Sequence, residues 1–182
     1  MALRLFVERG FDDTTLDDVA AQLGVGRRTL FRYYASKNDL VWGEFDQVLG
    51  RLRAELQAAD QRLPITTVIR QAAVRSNAYP PQLLDELRQR VTLIQTVPAL
   101  QAHSMLRYAE WRRVIAEYVA TRLGCAVDEL APVAIGHAAL AASTAAFSRW
   151  VEHSDEDILE LIDRSYALMA SGFDLAAQKP RE

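Results

Sequence analysis

GVGRRTLFRYYASK, residues 24–37, gathers Arg27, Arg28, Arg32 and Lys37 with no acid among them, in a chain of 182 residues whose formal net charge is −3. A cationic patch on a slightly acidic protein points to a polyanion met at one defined place, and the overall charge argues against a general nucleic-acid coat. If Gly26 caps a helix that begins at Arg27, Leu30 and Tyr34 turn inward, while Arg28 and Arg32 turn outward with Thr29 and Tyr33 on their flank. A helix so arranged suits the major groove of DNA.

The preceding residues support the same reading. In TTLDDVAAQLG, residues 14–24, Leu16, Val19, Ala20 and Leu23 form an apolar stripe, and Thr15 with Asp18 three positions on makes a capping box. Gly24 then ends the helix with positive φ, and Val25 packs back over its last turn. Helix, short glycine-containing turn and basic second helix make a helix-turn-helix. On Gly10, Phe11, Thr15, Val19, Ala20, Gly24, Val25, Thr29, Leu30, Tyr34, Lys37 and Leu40, the run from Ala2 to Leu40 resembles the N-terminal domain of the TetR family of transcriptional regulators. Two positions depart from that pattern. Gly26 stands where the family usually has Ser or Thr, which weakens a cap by a few tenths of a kcal/mol, and Arg28 adds a long cation where Gly is frequent. The chain opens inside what the resemblance makes the first helix, so the basic arm and first turns that the family places upstream are expected to be missing.

Half the residues are hydrophobic and a quarter are charged, the composition of a soluble globular protein. Cys125 has no partner for an internal disulfide. No signal peptide is expected, and the longest apolar run, around residues 138–147, is expected to be too short to span a bilayer, so the reading is cytoplasmic with no membrane partner.

Along the chain, Leu3, Phe6 and Val7 mark a first helix that stops at Gly10. Ser36 and Asp39 cap a long fourth helix reaching about Ala59. Pro64, Pro81 and Pro98 each open a helix, and the last of these runs to Gly124. Residues 129–151 are small and apolar nearly all round. Ser154 with Asp157 caps a final helix striped by Ile158, Leu161, Ile162, Leu168, Met169 and Phe173. No stretch alternates with a strand period, so the fold class is all-α, with about nine helices. The division is a helix-turn-helix domain at 1–47 and a helical effector-binding and dimerisation domain at 48–182, with residues 178–182 frayed.

Enzyme chemistry finds no support in the sequence. His103, His137 and His153 are scattered, and there is no HExxH, paired zinc cysteines, GxSxG or P-loop. The acids at 17–18 and 155–157 fit the first turns of helices, where they favour the macrodipole. No cofactor or metal site is expected.

The reading is a ligand-responsive, sequence-specific regulator, with an effector-independent DNA-binding protein and, behind it, an all-helical enzyme as alternatives. Arg27, Arg28, Thr29 and Arg32 are placed toward base edges, and Thr15, Gly26, Tyr33 and Lys37 toward phosphates. A homodimer joined through Ala139, Ala142, Ala146, Trp150, Leu161, Leu168 and Met169 would present two reading heads to a palindromic operator. Large side chains gather at Trp42, Phe45 and Leu49, at Leu93 and Val97, at Met105, Tyr108, Trp111 and Arg112, and at His137, Leu140, Thr144 and Phe147. They would line an apolar cavity oriented by a few polar tips, or fill a plain core. The TetR resemblance favours the cavity and implies a repressor. Two longer stretches, 36–46 and 97–124, resemble the subgroup of regulators associated with mycofactocin biosynthesis clusters, which implies a long-chain acyl-coenzyme A effector.

Overall fold

The computed structural model describes residues 2–43 and 45–172. Among them the regular elements are ten α-helices and one 3-10 turn: α1 (Ala2–Arg9), α2 (Leu16–Leu23), α3 (Arg27–Tyr33), α4 (Lys37–Trp42), α5 (Phe45–Ala58), α6 (Ile65–Ser76), the turn Pro81–Leu83, α7 (Leu84–Thr96), α8 (Pro98–Leu123), α9 (Leu130–Glu152) and α10 (Ile158–Ala170). Phe173 and the C-terminal tail lie outside the described residues.

The chain forms two compact units. One comprises Met1–Phe45 with Tyr79–Met105, and the other comprises Asp46–Ala78 with Leu106–Glu182. The first unit therefore takes in α7 and the opening of α8 as well as the N-terminal helices. Its core holds Leu3, Leu5, Phe6, Phe11, Val19, Ala20, Leu30, Leu40 and Val41. The Phe6 and Phe11 rings meet with centroids 5.1 Å apart. Gly10 takes φ +92°, which turns the chain out of α1 at little cost for a residue without Cβ. Thr14 Oγ1 then donates to Gly10 O at 2.7 Å and closes that turn.

The single helix expected from Ser36 to Ala59 is two helices, broken at Gly43. That residue has φ 55° and ψ −129°, a conformation hostile to any residue with a Cβ. The Arg90 guanidinium from α7 occupies the space where a Gly43 Cβ would stand. It donates to the freed Trp42 carbonyl at 3.2 Å, so the end of α4 is capped by a side chain 48 residues away. A helical pattern in sequence carries no information about such a distant cap.

In the second unit, α10 packs against α9 and α6, around Val68, Ile69, Ala139, Ile158, Ile162 and Tyr166. A Cβ on Gly136 would lie 3.0 Å from the Arg112 carbonyl, so this glycine permits close approach of α9 to α8. Tyr166 Oη donates to Ala139 O at 2.9 Å and sits 2.9 Å from Ser143 Oγ, which satisfies a polar pair inside an apolar seam. Arg70 on α6 holds Asp163 on α10 with two bonds of 2.6 and 2.7 Å. The cap of α10 is Asp157, which accepts from Leu159 N and Glu160 N. Ser154 was expected in that role; Glu156, just ahead of the cap, instead accepts from Arg149 at 2.6 Å.

The apolar run at 138–147 was expected to be too short to cross a bilayer, yet it lies within a 23-residue helix that meets the length and composition for doing so. Ala139, Ala142, Ser143, Ala146 and Trp150 on that helix are instead buried within the chain.

Candidate nucleic-acid interface

Helix α2 begins with both halves of a capping box: Thr15 Oγ1 accepts from Asp18 N at 3.1 Å, and Asp18 accepts from Thr15 N at 2.8 Å. The Thr15 hydroxyl and N–H hold the Asp18 carboxyl below its ordinary range. A lowered folded value means that the box is intact above the ordinary carboxylate range and is lost as pH falls through that lowered value. Gly24 closes α2 with φ 66°, and Val25 N reaches back to Ala20 O at 3.0 Å. Gly26 then caps α3 through its extended backbone, with no side-chain bond.

On α3, Leu30 is buried and anchors the helix, while Arg27, Arg28, Arg32 and Tyr33 are exposed and Thr29 is half-buried. Arg28 has no ion-pair or hydrogen-bond partner among the described residues. Arg32 lies over the Tyr33 ring at 4.9 Å and donates to its hydroxyl at 3.2 Å, so the two side chains are held side by side. Arg27 donates to Asp17 at 3.0 Å and lies 5.4 Å from the Phe31 ring centroid. This bridge from α2 to α3 had no signal in sequence, because Asp17 reads simply as a first-turn acid.

Lys37, expected at a phosphate, is turned into the protein. Its ammonium donates to Phe11 O at 2.7 Å and Thr14 O at 3.1 Å, and it rests 4.3 Å from the Phe11 ring centroid. It ties the start of α4 to the loop between α1 and α2, since an ammonium with several strong acceptors has little reason to leave them.

The thirteen side chains expected around a ligand fall in both units. Trp42, Phe45, Leu93, Val97 and Met105 belong to the first, and Leu49, Tyr108, Trp111, Arg112, His137, Leu140, Thr144 and Phe147 to the second. Trp42 and Phe45 meet edge to face at 5.0 Å. Leu49, Leu93 and Trp111 are buried, whereas Met105 is 63% exposed. Of the polar tips, His137 is exposed, and Thr144 Oγ1 is spent on its own helix, donating to Leu140 O at 3.0 Å. Burial pushes the Tyr108 phenol up, which keeps it a neutral donor. A cleft of about 300 Å³ in the second unit is lined by Asp46, Leu49, Arg53, Glu110 and Arg113. Only Leu49 of the expected set borders it.

The side chains expected between two subunits are largely spent within one. Ala139, Ala142, Ala146, Trp150 and Leu161 are buried in the single chain, and Leu168 and Met169 are half-buried. The opposite side of α9, with Ala134, His137, Ala138, Ala141 and Ala145, is open. Sequence periodicity could not separate the two sides, because alanine occupies both.

Residues 1–41 match the family model described as bacterial regulatory proteins, tetR family, and residues 63–174 match the MftR C-terminal domain. The chain is 34% identical over 174 residues, covering 96% of itself and 88% of the relative, to a Mycobacterium tuberculosis protein described as a mycofactocin biosynthesis transcriptional regulator, MftR. Among solved structures it is similar to Bacillus halodurans FadR, a fatty acid degradation regulator, with TM-score 0.65, 14% identity and coverage of 95% and 92% of the two chains. It is likewise similar to the Thermus thermophilus FadR repressor in complex with lauroyl-CoA, with TM-score 0.61, 21% identity and coverage of 100% and 93%. These structural likenesses carry the fold.

Proposed function

Because this chain belongs to the TetR family of bacterial transcriptional regulators, we propose that it is a cytoplasmic repressor that binds a palindromic operator as a homodimer and is released by a long-chain acyl-coenzyme A. The observation that carries the DNA half is the outward face of α3. There Arg28 is free of protein partners among the described residues, and Arg32 is pre-oriented on Tyr33. Arginines held this way can pair bidentately with guanine edges. Thr29 joins them toward the bases, while Thr15, Gly26 and Tyr33 border the phosphates. Two copies about 34–36 Å apart would meet successive major-groove turns.

The dimer would form on the open side of α9, where Ala134, Ala138, Ala141 and Ala145 allow two helices to approach closely. Assignment of the effector is supported by the lauroyl-CoA held by the Thermus thermophilus FadR, to whose structure this chain is similar over its whole length. The ligand acts only through its differential affinity for the DNA-competent and released conformations. Thermal shift and operator release, measured with acyl-coenzyme A thioesters of increasing chain length and with free coenzyme A, test this reading. Longer chains are expected to raise the melting temperature and displace operator, and free coenzyme A is not. If no thioester does either, the effector half falls and the DNA half stands.

A further inference from the structure

The bridge between Asp17 and Arg27 places an anion on the surface that meets DNA. We propose that Asp17 sets the sequence selectivity of this protein by keeping Arg27 off the phosphate backbone, an inference that rests on the DNA-binding reading above. In a helix-turn-helix the first helix crosses the phosphate backbone and the N-terminal end of the second enters the groove. Asp17 stands in the first turn of α2 and Arg27 is the first residue of α3. An acid on this surface repels phosphate, so its presence calls for a reason.

Folding supplies only a small part of one, through the favourable effect of a first-turn acid on the α2 macrodipole. The two side chains are 61% and 64% exposed, and pairs so exposed contribute little to stability. The helix start is already served by Asp18, whose carboxylate fills the capping box. Beyond that, Asp17 acts on Arg27, which it holds at 3.0 Å while the Phe31 ring lies on the other side. The net charge of the pair is zero, so an arginine beside this acid gains less from whichever phosphate is nearest than an unpaired one would. Lys37 is also withheld, bound to the Phe11 and Thr14 carbonyls. That leaves Arg28 and Arg32 as the cations of the α3 face with no acid or carbonyl partner among the described residues. Fewer free cations mean weaker binding to random DNA, whereas a fixed Arg27 can still meet a base edge that is correctly placed. Selectivity is the difference of these two affinities, and weakening the wrong complex raises it as surely as strengthening the right one.

The test compares wild type, Asp17→Asn, Arg27→Ala and the double variant on two probes: poly(dI·dC), and the duplex that the wild-type protein itself enriches from a random pool. Asp17→Asn keeps the side-chain shape, and thermal unfolding confirms that it folds. It should bind poly(dI·dC) about tenfold more tightly at 0.1 M salt, with a salt slope steeper by about 1 to 2 for the two subunits. The enriched duplex should gain less, so discrimination falls, and the gain should vanish in the Arg27→Ala background. Unchanged poly(dI·dC) binding by a folded Asp17→Asn overturns the proposal, as does a gain that survives without Arg27. A loss confined to the enriched duplex also overturns it, because Asp17 would then be reading a base itself. Should the wild type enrich no duplex at all, the DNA-binding reading fails and this inference with it. Should it enrich one while Asp17→Asn behaves as wild type, only this inference fails.

Discussion

Three of the four cations at 27–37 do different work, and their surroundings decide which. Arg28 projects from α3 without a protein partner among the described residues, so Arg28→Ala should cost about 1–3 kcal/mol in operator affinity and relax preference at particular base pairs. Fluorescence anisotropy against single-base variants of the operator checks this. Lys37 looks equivalent in sequence, but its ammonium bonds two carbonyls of the loop after α1 and covers the Phe11 ring. Lys37→Ala should therefore destabilise the protein, by about 1–3 kcal/mol, since charged hydrogen bonds to a part-buried loop are lost. Chemical denaturation reads that loss. A change of about one in the salt slope with stability intact would instead make Lys37 a phosphate contact. Arg27, paired with Asp17, stands between these cases.

Among the elements, α9 and α10 are joined through Tyr166 by polar contacts to Ser143 and Ala139 in an apolar seam. Burial pushes the Tyr166 phenol far up, so it stays a neutral donor at any pH the protein meets and gives the seam no titration of its own. Tyr166→Phe leaves the Ser143 hydroxyl without its buried partner and the Ala139 carbonyl without that donor, and should cost about 1–3 kcal/mol. Tyr166→Phe with Ser143→Ala should recover part of that loss, because no orphaned hydroxyl remains; a thermal denaturation series measures both. The α4–α5 break has a different origin. Gly43→Ala would add a Cβ where the Arg90 guanidinium stands and would force positive φ on an alanine. A loss of about 1–3 kcal/mol is expected, against none if the chain simply continued as one helix there.

For the whole molecule, neighbouring alanines on α9 separate folding from assembly. Ala142 is buried within the chain and Ala141 is exposed. Ala142→Glu would strand a charge inside the subunit and should unfold it. Ala141→Glu should leave the fold intact and give monomers with weakened operator binding. Sedimentation velocity combined with thermal unfolding distinguishes the two. Monomeric Ala142→Glu with wild-type stability would return the interface to the side of α9 that packs on α10.

Local order was largely legible from the residues. The start of α2 at Thr15, its end at Gly24, the onset of α3 at Arg27 and the all-helical class rest on periodicity, caps and glycine, which act over a few positions. The basic face of α3 was legible for the same reason, since residues four apart share a side. What tertiary structure alone decided involves partners distant in the chain: Arg90 splitting one helix at Gly43, Phe11 and Thr14 claiming Lys37, Asp17 claiming Arg27, and α10 covering one alanine face of α9 while leaving the other open. A sequence pattern specifies that a side chain must be covered or paired. Which of several chemically similar groups does so depends on loop closure and packing over tens of residues, and those interactions exist only once the chain has folded.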